Sequence, residues 1–348
     1  MHRKLRTSSV SLLVAMLLPA CAALAESPEQ VLTDGIYPDV IEHPMPDDLS
    51  QFTQPASLVA DLKAIQEGSL EERLAALADK SRRDQIFVEG GTFQMGDFGR
   101  LQSEEKLPWD SRSHSSPLHE VTLDSYSISK YKVTLAEFDL YAEANDVPSV
   151  QTEDIYTKSV AGMPRYRTPD KPAGTTWPQA KAYCQWLGEL TKLPFDLPTE
   201  AQWEYAARDR GRFIVYPTNN GKLEWNVNVP GSKLGDAVNG SLWGSSPLAI
   251  ALFPPSPIGM YDLAINSMDW VQDWYAADYY TVSATENPTG PTTGTEKVQR
   301  SWPTSNSGAA KTMSRRSKTP EPAADKDQST YLFGFRCAVQ SPDQIKSL

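Results

Sequence analysis

The stretch LPTEAQWEYAARDRG, residues 197–211, sets a threonine three residues before a glutamine. Thr199 can accept from the amide of residue 202 while the Gln202 side chain answers the threonine's own N–H, a reciprocal cap that starts a helix. The spacing predicts a helix from Glu200 with Trp203, Ala206 and Ala207 turned inward. The same signature stands at Ser69 with Glu72, Thr134 with Glu137, and Thr176 with Gln179. In the helix that Thr176 opens, Ala180, Cys184 and Leu187 share one face with Tyr183 beside them, so Cys184 is expected in the core. Leu70, Leu74 and Leu77 give the helix after Ser69 an apolar stripe. These are short helices in a long run of turns.

Between them, Ile86–Val88 and Thr92–Met95 flank Glu89-Gly90-Gly91 and read as a hairpin. After Arg212 the chain is rich in Gly, Pro, Asn and Trp, with few runs long enough for a regular element. Residues 284–296 and 317–328 read as loops. So much coil must satisfy its backbone groups through side chains, water and ions rather than through ladders.

The N-terminus speaks to compartment. Arg3, Lys4 and Arg6 precede an apolar run from Val10 to Ala20, and Ala23-Leu24-Ala25 forms an A-x-A site. Residues 1–25 read as a secretory signal, and the run is too short for a spanning helix of about 20 residues. Two mature forms follow: a soluble periplasmic protein, or a lipoprotein anchored through Cys21, although Pro19 suits a lipoprotein box poorly. Residues 26–83 are expected to form an N-terminal arm with a short helix, and 84–342 the main domain. No later stretch is long and apolar enough to cross a membrane.

The chain of 348 residues carries 33 basic and 44 acidic side chains, a net charge of −11. Losing residues 1–25 would remove three of the basic ones and no acid, leaving −14. Such a balance argues against nucleic acid and anionic lipid as partners. Of three cysteines, Cys21 leaves with the signal or carries lipid, leaving Cys184 and Cys337. In an oxidising compartment they are either bridged or a pair of buried thiols. A bridge would close about 150 residues, which a chain-entropy treatment credits with roughly 5 kcal/mol.

Six blocks, FVEGGTFQMGD, HEVTLDSYSISKYKVTLAEF, AYCQWLG, LPTEAQWEYAARDRG, GMYDLAINSMDWVQDWY and GFRCA, occur in an order that resembles the formylglycine-generating enzyme, or sulfatase-modifying-factor, family. The resemblance covers about residues 86–340. It implies an α+β, C-type-lectin-like fold of low regular content with several short helices. It also implies an oxidase that converts a substrate cysteine to formylglycine with oxygen and copper(I) held by two thiolates, since soft thiolates select Cu(I). Here Thr304 and Ala309 stand near those two ligand positions, and no cysteine lies between 185 and 336. Cys184 and Cys337 fall instead on the family's structural disulfide. Copper is therefore not expected.

Calcium is the cofactor that the resemblance does imply. Asn266, Ser267 and Asp269 match the family's second calcium loop, with Asp for the usual Glu; the other reading is an Asn-capped turn with a solvated Asp. Asn228 and Asp236 map onto the first calcium loop with slipped spacing. Asp273 and Arg336 are placed to bury charge, paired with one another or with Glu204. Arg315 and Arg316 are either a solvated basic pair or part of a recognition face. His114 and His119 read as structural rather than as an iron site.

Two functions follow. One is a periplasmic binding or regulatory protein with a periplasmic or membrane-anchored protein partner; family members without the cysteine pair include partners in type VI secretion signalling and accessory proteins of siderophore maturation. The alternative is an enzyme of the same family, forming formylglycine or carrying out another, metal-dependent oxidation. The sequence supplies no nucleophile elbow, metal triad or phosphate loop for that alternative.

Overall fold

Four reciprocal caps start the main helices. In the computed structural model, which describes residues 40–152, 167–239, 247–301, 310–321 and 330–345, the side chains of Ser69, Thr134, Thr176 and Thr199 accept from the amides of Glu72, Glu137, Gln179 and Gln202. In each case the third residue's side chain returns the bond. The helices, in chain order, are α1 (Ala56–Ala64), α2 (Leu70–Arg83), α3 (Gly99–Gln102), α4 (Leu135–Asn145), α5 (Trp177–Thr191), α6 (Glu200–Ala207) and α7 (Ser232–Asn239). Among the described residues none is long and apolar enough to cross a membrane.

The strands are β1 (Val40–Glu42), β2 (Gln85–Val88), β3 (Gly91–Met95), β4 (His119–Leu123), β5 (Tyr126–Ser129), β6 (Phe195–Asp196), β7 (Leu223–Trp225), β8 (Met268–Trp274), β9 (Lys297–Ser301), β10 (Arg316–Lys318), β11 (Phe333–Phe335) and β12 (Ala338–Val339). They form two four-stranded sheets, ordered β2-β5-β12-β6 and β10-β9-β8-β11, and two pairs, β3-β4 and β1-β7. The result is an α+β fold with much coil, as the blocks imply.

The expected hairpin does not form. β2 pairs with β5, and β3 pairs with β4, both antiparallel, so residues 85–95 lie along 119–129 rather than folding on themselves. Gly90 is where the chain changes partner. Its N–H donates to Ser125 Oγ, and a β-carbon there would stand 2.3 Å from the Leu123 carbonyl oxygen. Gly90 marks a close backbone crossing, not a turn.

The strands after Arg212 were also missed as regular elements. β8 binds β9 antiparallel, with an irregularity between Trp270 and Trp274, and binds β11 in parallel. Both faces of β8 and β9 are largely buried, so they lack the alternation that marks a half-exposed strand. The segment 317–328 begins in β10, while residues 322–329 lie outside the described residues.

Of the arm expected over 26–83, the described residues 40–83 hold two helices rather than one. α1 and α2 both dock: Leu58, Leu62, Ile65 and Leu77 join the cluster of Phe138, Tyr183, Leu187 and Trp270. Lys80, nearly buried, reaches Glu137 at 2.9 Å and Asp84 at 3.0 Å. β1 adds in parallel to β7, and Phe52 meets Phe253. Among the described residues, α1 and α2 thus pack into the same core as α4 and α5.

Cys184 of α5 and Cys337, beside β12, are bonded, with Cα atoms 5.6 Å apart and neither exposed. Truncating Leu77, which has no exposed surface, leaves a hole between α2 and the core. Leu77→Ala should cost about 2–5 kcal/mol. Val59→Ala on the exposed side of α1 should stay within about 0.5 kcal/mol. Urea unfolding of the two variants measures the difference; equal, small losses would mean that α2 is not part of the domain.

Candidate functional site

Arg300 of β9 and Arg315, just before β10, both reach the N-terminus of α6. Glu200, at the first position of α6, is buried and carries two arginines. Its Oε1 accepts from Arg300 Nη1 at 2.9 Å and from Arg315 Nε at 2.7 Å, and its Oε2 from Arg315 Nη2 at 2.8 Å. One turn on, Glu204 Oε2 accepts from Arg300 Nη2 at 3.0 Å, and its Oε1 from Arg208 Nη1 and the N–H of Gly96, both at 2.9 Å. The Arg315 guanidinium also lies 4.2 Å from the Tyr280 ring centre and 5.3 Å from that of Tyr275.

Arg315 is thus fully buried, and the expectation of a solvated pair or recognition face fails for it. Glu200 needs its charge inside. Arg316 is half-buried on β10. Burial pushes the Glu200 carboxyl up, but Arg315 and Arg300 beside it prevail and hold it below the usual carboxylate range. Asp273 goes the other way. Burial and the neighbouring Glu200 raise it from 3.8 to about 7, although it accepts from the N–H of Glu200 at 2.8 Å.

Asp273 and Arg336 do not pair, and Arg336 does not reach Glu204. Arg336 Nε donates to Asp269 Oδ2 at 2.9 Å. Trp203 Nε1 donates to the same oxygen at 2.9 Å, and Lys132 Nζ to Oδ1 at 2.6 Å. All of this is sealed from solvent. Asp269 stays below the usual range despite burial, through Arg336 and Lys132.

The donor set expected for calcium does not fit that ion. Asp269 is spent on two cations and an indole. The Ser267 carbonyl accepts from Lys132 Nζ at 3.1 Å, and Asn266 Oδ1 accepts from the N–H of Leu248 at 2.7 Å. A divalent ion here would meet two fixed positive charges. Asn228 is likewise engaged: its oxygen accepts from Glu224 N, and its amide donates to Asn219, Asn220 and the Lys222 carbonyl. Asp236 lies on α7, half-exposed. Among the described residues no three His, Cys, Asp or Glu side chains gather as a metal needs.

Thr304 and Ala309 lie outside the described residues. His114 hydrogen-bonds Tyr275 Oη through Nδ1 at 2.7 Å, and His119 Nδ1 donates to the Pro117 carbonyl at 3.1 Å. Burial lowers the pKa of both rings. Lys132, Glu200 and Arg300 carry these knots, and the sequence reading assigned none of them a role. The one available signal for Lys132 was a lysine between Tyr131 and Val133 just before a cap.

The profile of the family described as "Sulfatase-modifying factor enzyme 1-like domain" matches residues 71–341. The chain belongs to this family. The sulfatase-modifying-factor match starts inside α2, in keeping with the docking of that helix. The chain is similar to the formylglycine-generating enzyme of Streptomyces coelicolor, 29% identical over 312 residues, 76% of this chain and 91% of that one. It is also similar to the serine/threonine-protein kinase pkn1 of Chlamydia pneumoniae, 28% identical over 230 residues, 62% of this chain. The chain spans only about a third, 32%, of that kinase's length. In fold it resembles PvdO from Pseudomonas aeruginosa, with a TM-score of 0.55 and 24% identity over 74% of this chain and 94% of that one.

The raised Asp273 gives a sign-defined pH effect. Between the ordinary aspartate value of 3.8 and about 7 the native state holds a proton that the unfolded chain has lost. That contribution to stability is full below the unfolded value and is lost as pH rises toward 7. Asp273→Asn, which keeps an acceptor for the N–H of Glu200, should remove this loss. Its stability relative to wild type should therefore climb from pH 5 to pH 8 in urea unfolding; parallel profiles would contradict the assignment.

Proposed function

We propose that this protein is a non-oxidising member of the sulfatase-modifying-factor family, exported by residues 1–25, that binds or regulates a periplasmic or membrane-anchored protein. One observation carries the reading. Cys184 and Cys337, the only cysteines after Cys21, are bonded to one another. Copper(I) in the formylglycine reaction needs two thiolates, and a disulfide offers none. No hydroxyl or methyl at residues 304 and 309 replaces them, and a threonine without a base beside it is a poor nucleophile.

The family scaffold is kept while its redox chemistry is not. Buried carboxylate–arginine layers hold the coil in one shape at large internal electrostatic cost. A rigid, loop-decorated surface is what such a scaffold offers, and binding is the use that needs no further residues. Fold alone does not give function, so the reading rests on the cysteines.

The test incubates the purified protein with copper, oxygen and a sulfatase-type cysteine peptide, then traps aldehyde with a hydrazide and weighs the product. The expected result is no aldehyde above a protein-free control, together with recovery of a specific envelope protein by crosslinking in cells. Turnover above the control would overturn the non-oxidising reading.

A further inference from the structure

Asn266 and Ser267 hold backbone φ values of 75° and 77°, left-handed in both despite their side chains. Such conformations persist where the surroundings impose them, and they cluster at binding loops. Here the double bend aims the Ser267 carbonyl at Lys132 Nζ, 3.1 Å away. Asp269 Oδ1 meets the same nitrogen at 2.6 Å. Ser267 Oγ is buried in this loop without a hydrogen-bond partner. A carboxylate oxygen and a backbone carbonyl around one dry positive charge are the donors that a hard cation takes. The charge they hold is an ammonium.

We propose that the Lys132 ammonium is the resident cation of the 266–269 loop, standing where the family resemblance places calcium, so that this chain folds without a divalent ion there. The ammonium comes from the segment between β5 and α4 and reaches across to β8. It therefore makes the link between chain segments that a shared ion would make. Arg336 supplies the second positive charge on Asp269, leaving no net negative charge to recruit calcium. Asp262, half-buried, accepts from the N–H of Ala251 at 2.9 Å and lies close to Asn266. It is a further oxygen donor that stands ready once Lys132 is gone.

The inference predicts a gain of function. Removing the ammonium and adding a carboxylate, in Lys132→Glu, should turn the loop into a divalent-cation site. The probes are calcium and terbium, the latter excited through Trp203, whose indole already donates to Asp269. Wild type should show no tryptophan-sensitised terbium emission from this loop and the same Tm in millimolar calcium as in EDTA. Lys132→Glu should bind one terbium, release it to calcium, and melt several degrees higher in calcium than in EDTA, since an ion bound only by the native state stabilises by mass action. Lys132→Met, which keeps the apolar stem, should show a smaller calcium shift. Should neither variant fold in EDTA, the readout is refolding yield, expected to rise about tenfold in calcium. The proposal is overturned if wild type gains stability from calcium and Asp269→Asn abolishes that gain. It is equally overturned if neither variant responds to the ion in melting, emission or refolding yield.

Discussion

Asp269 is the residue on which the arrangement depends. It sits on the central strand pairing of β8, with no exposed surface, and gathers Lys132, Trp203 and Arg336 from three distant parts of the chain. Arg336 uses its other nitrogens on the carbonyls of Ser129, Lys130 and Tyr261, tying the end of β5 and the coil at Tyr261 to its own strand end. A buried ion pair is not by itself a net stabiliser, because desolvation offsets the attraction. Its value here is topological. A fold with this much coil has few ladders to satisfy its backbone, and charged side chains reaching from well-anchored positions do that work.

Arg336 is followed by Cys337, so the knot and the disulfide share one strand end. The bridge fixes that end to α5, and Val133 and Thr175 donate to the carbonyls of Phe335 and Phe333 on β11 just before it. A second ionic layer, Glu200 and Glu204 against Arg208, Arg300 and Arg315, fixes α6 to β9 and to the start of β10 in the same way. The two layers meet on α6, through Trp203 in the first and Glu200 and Glu204 in the second.

What the sequence made legible was local. The four capping boxes involve residues three apart, and all four form as read. The inward placement of Cys184, Trp203 and Ala206 followed from helical spacing and also holds. The misreadings are all nonlocal. Two strands beside Gly90 looked like a hairpin because the pairing partner, 119–129, is remote in sequence. Arg315 looked like surface because the glutamate that neutralises it lies 115 residues away. For Asn266 and Asp269 the family resemblance implies a cation loop, while the lysine that meets Asp269 lies 137 residues earlier. Lys80 and Leu77 looked like arm residues because the faces that receive them belong to α4 and α5.

The central claim is that the two cysteines after Cys21 are bonded to one another, which leaves no thiolate pair for copper(I). Non-reducing peptide mapping of the native protein after alkylation, with copper(I) titrated in parallel, tests it most directly. The predicted result is a single linked peptide pair joining Cys184 to Cys337, no alkylated sulfur at either position and no thiolate-bound copper. Alkylation of Cys184 or Cys337 without reductant, with copper bound in proportion, would contradict it.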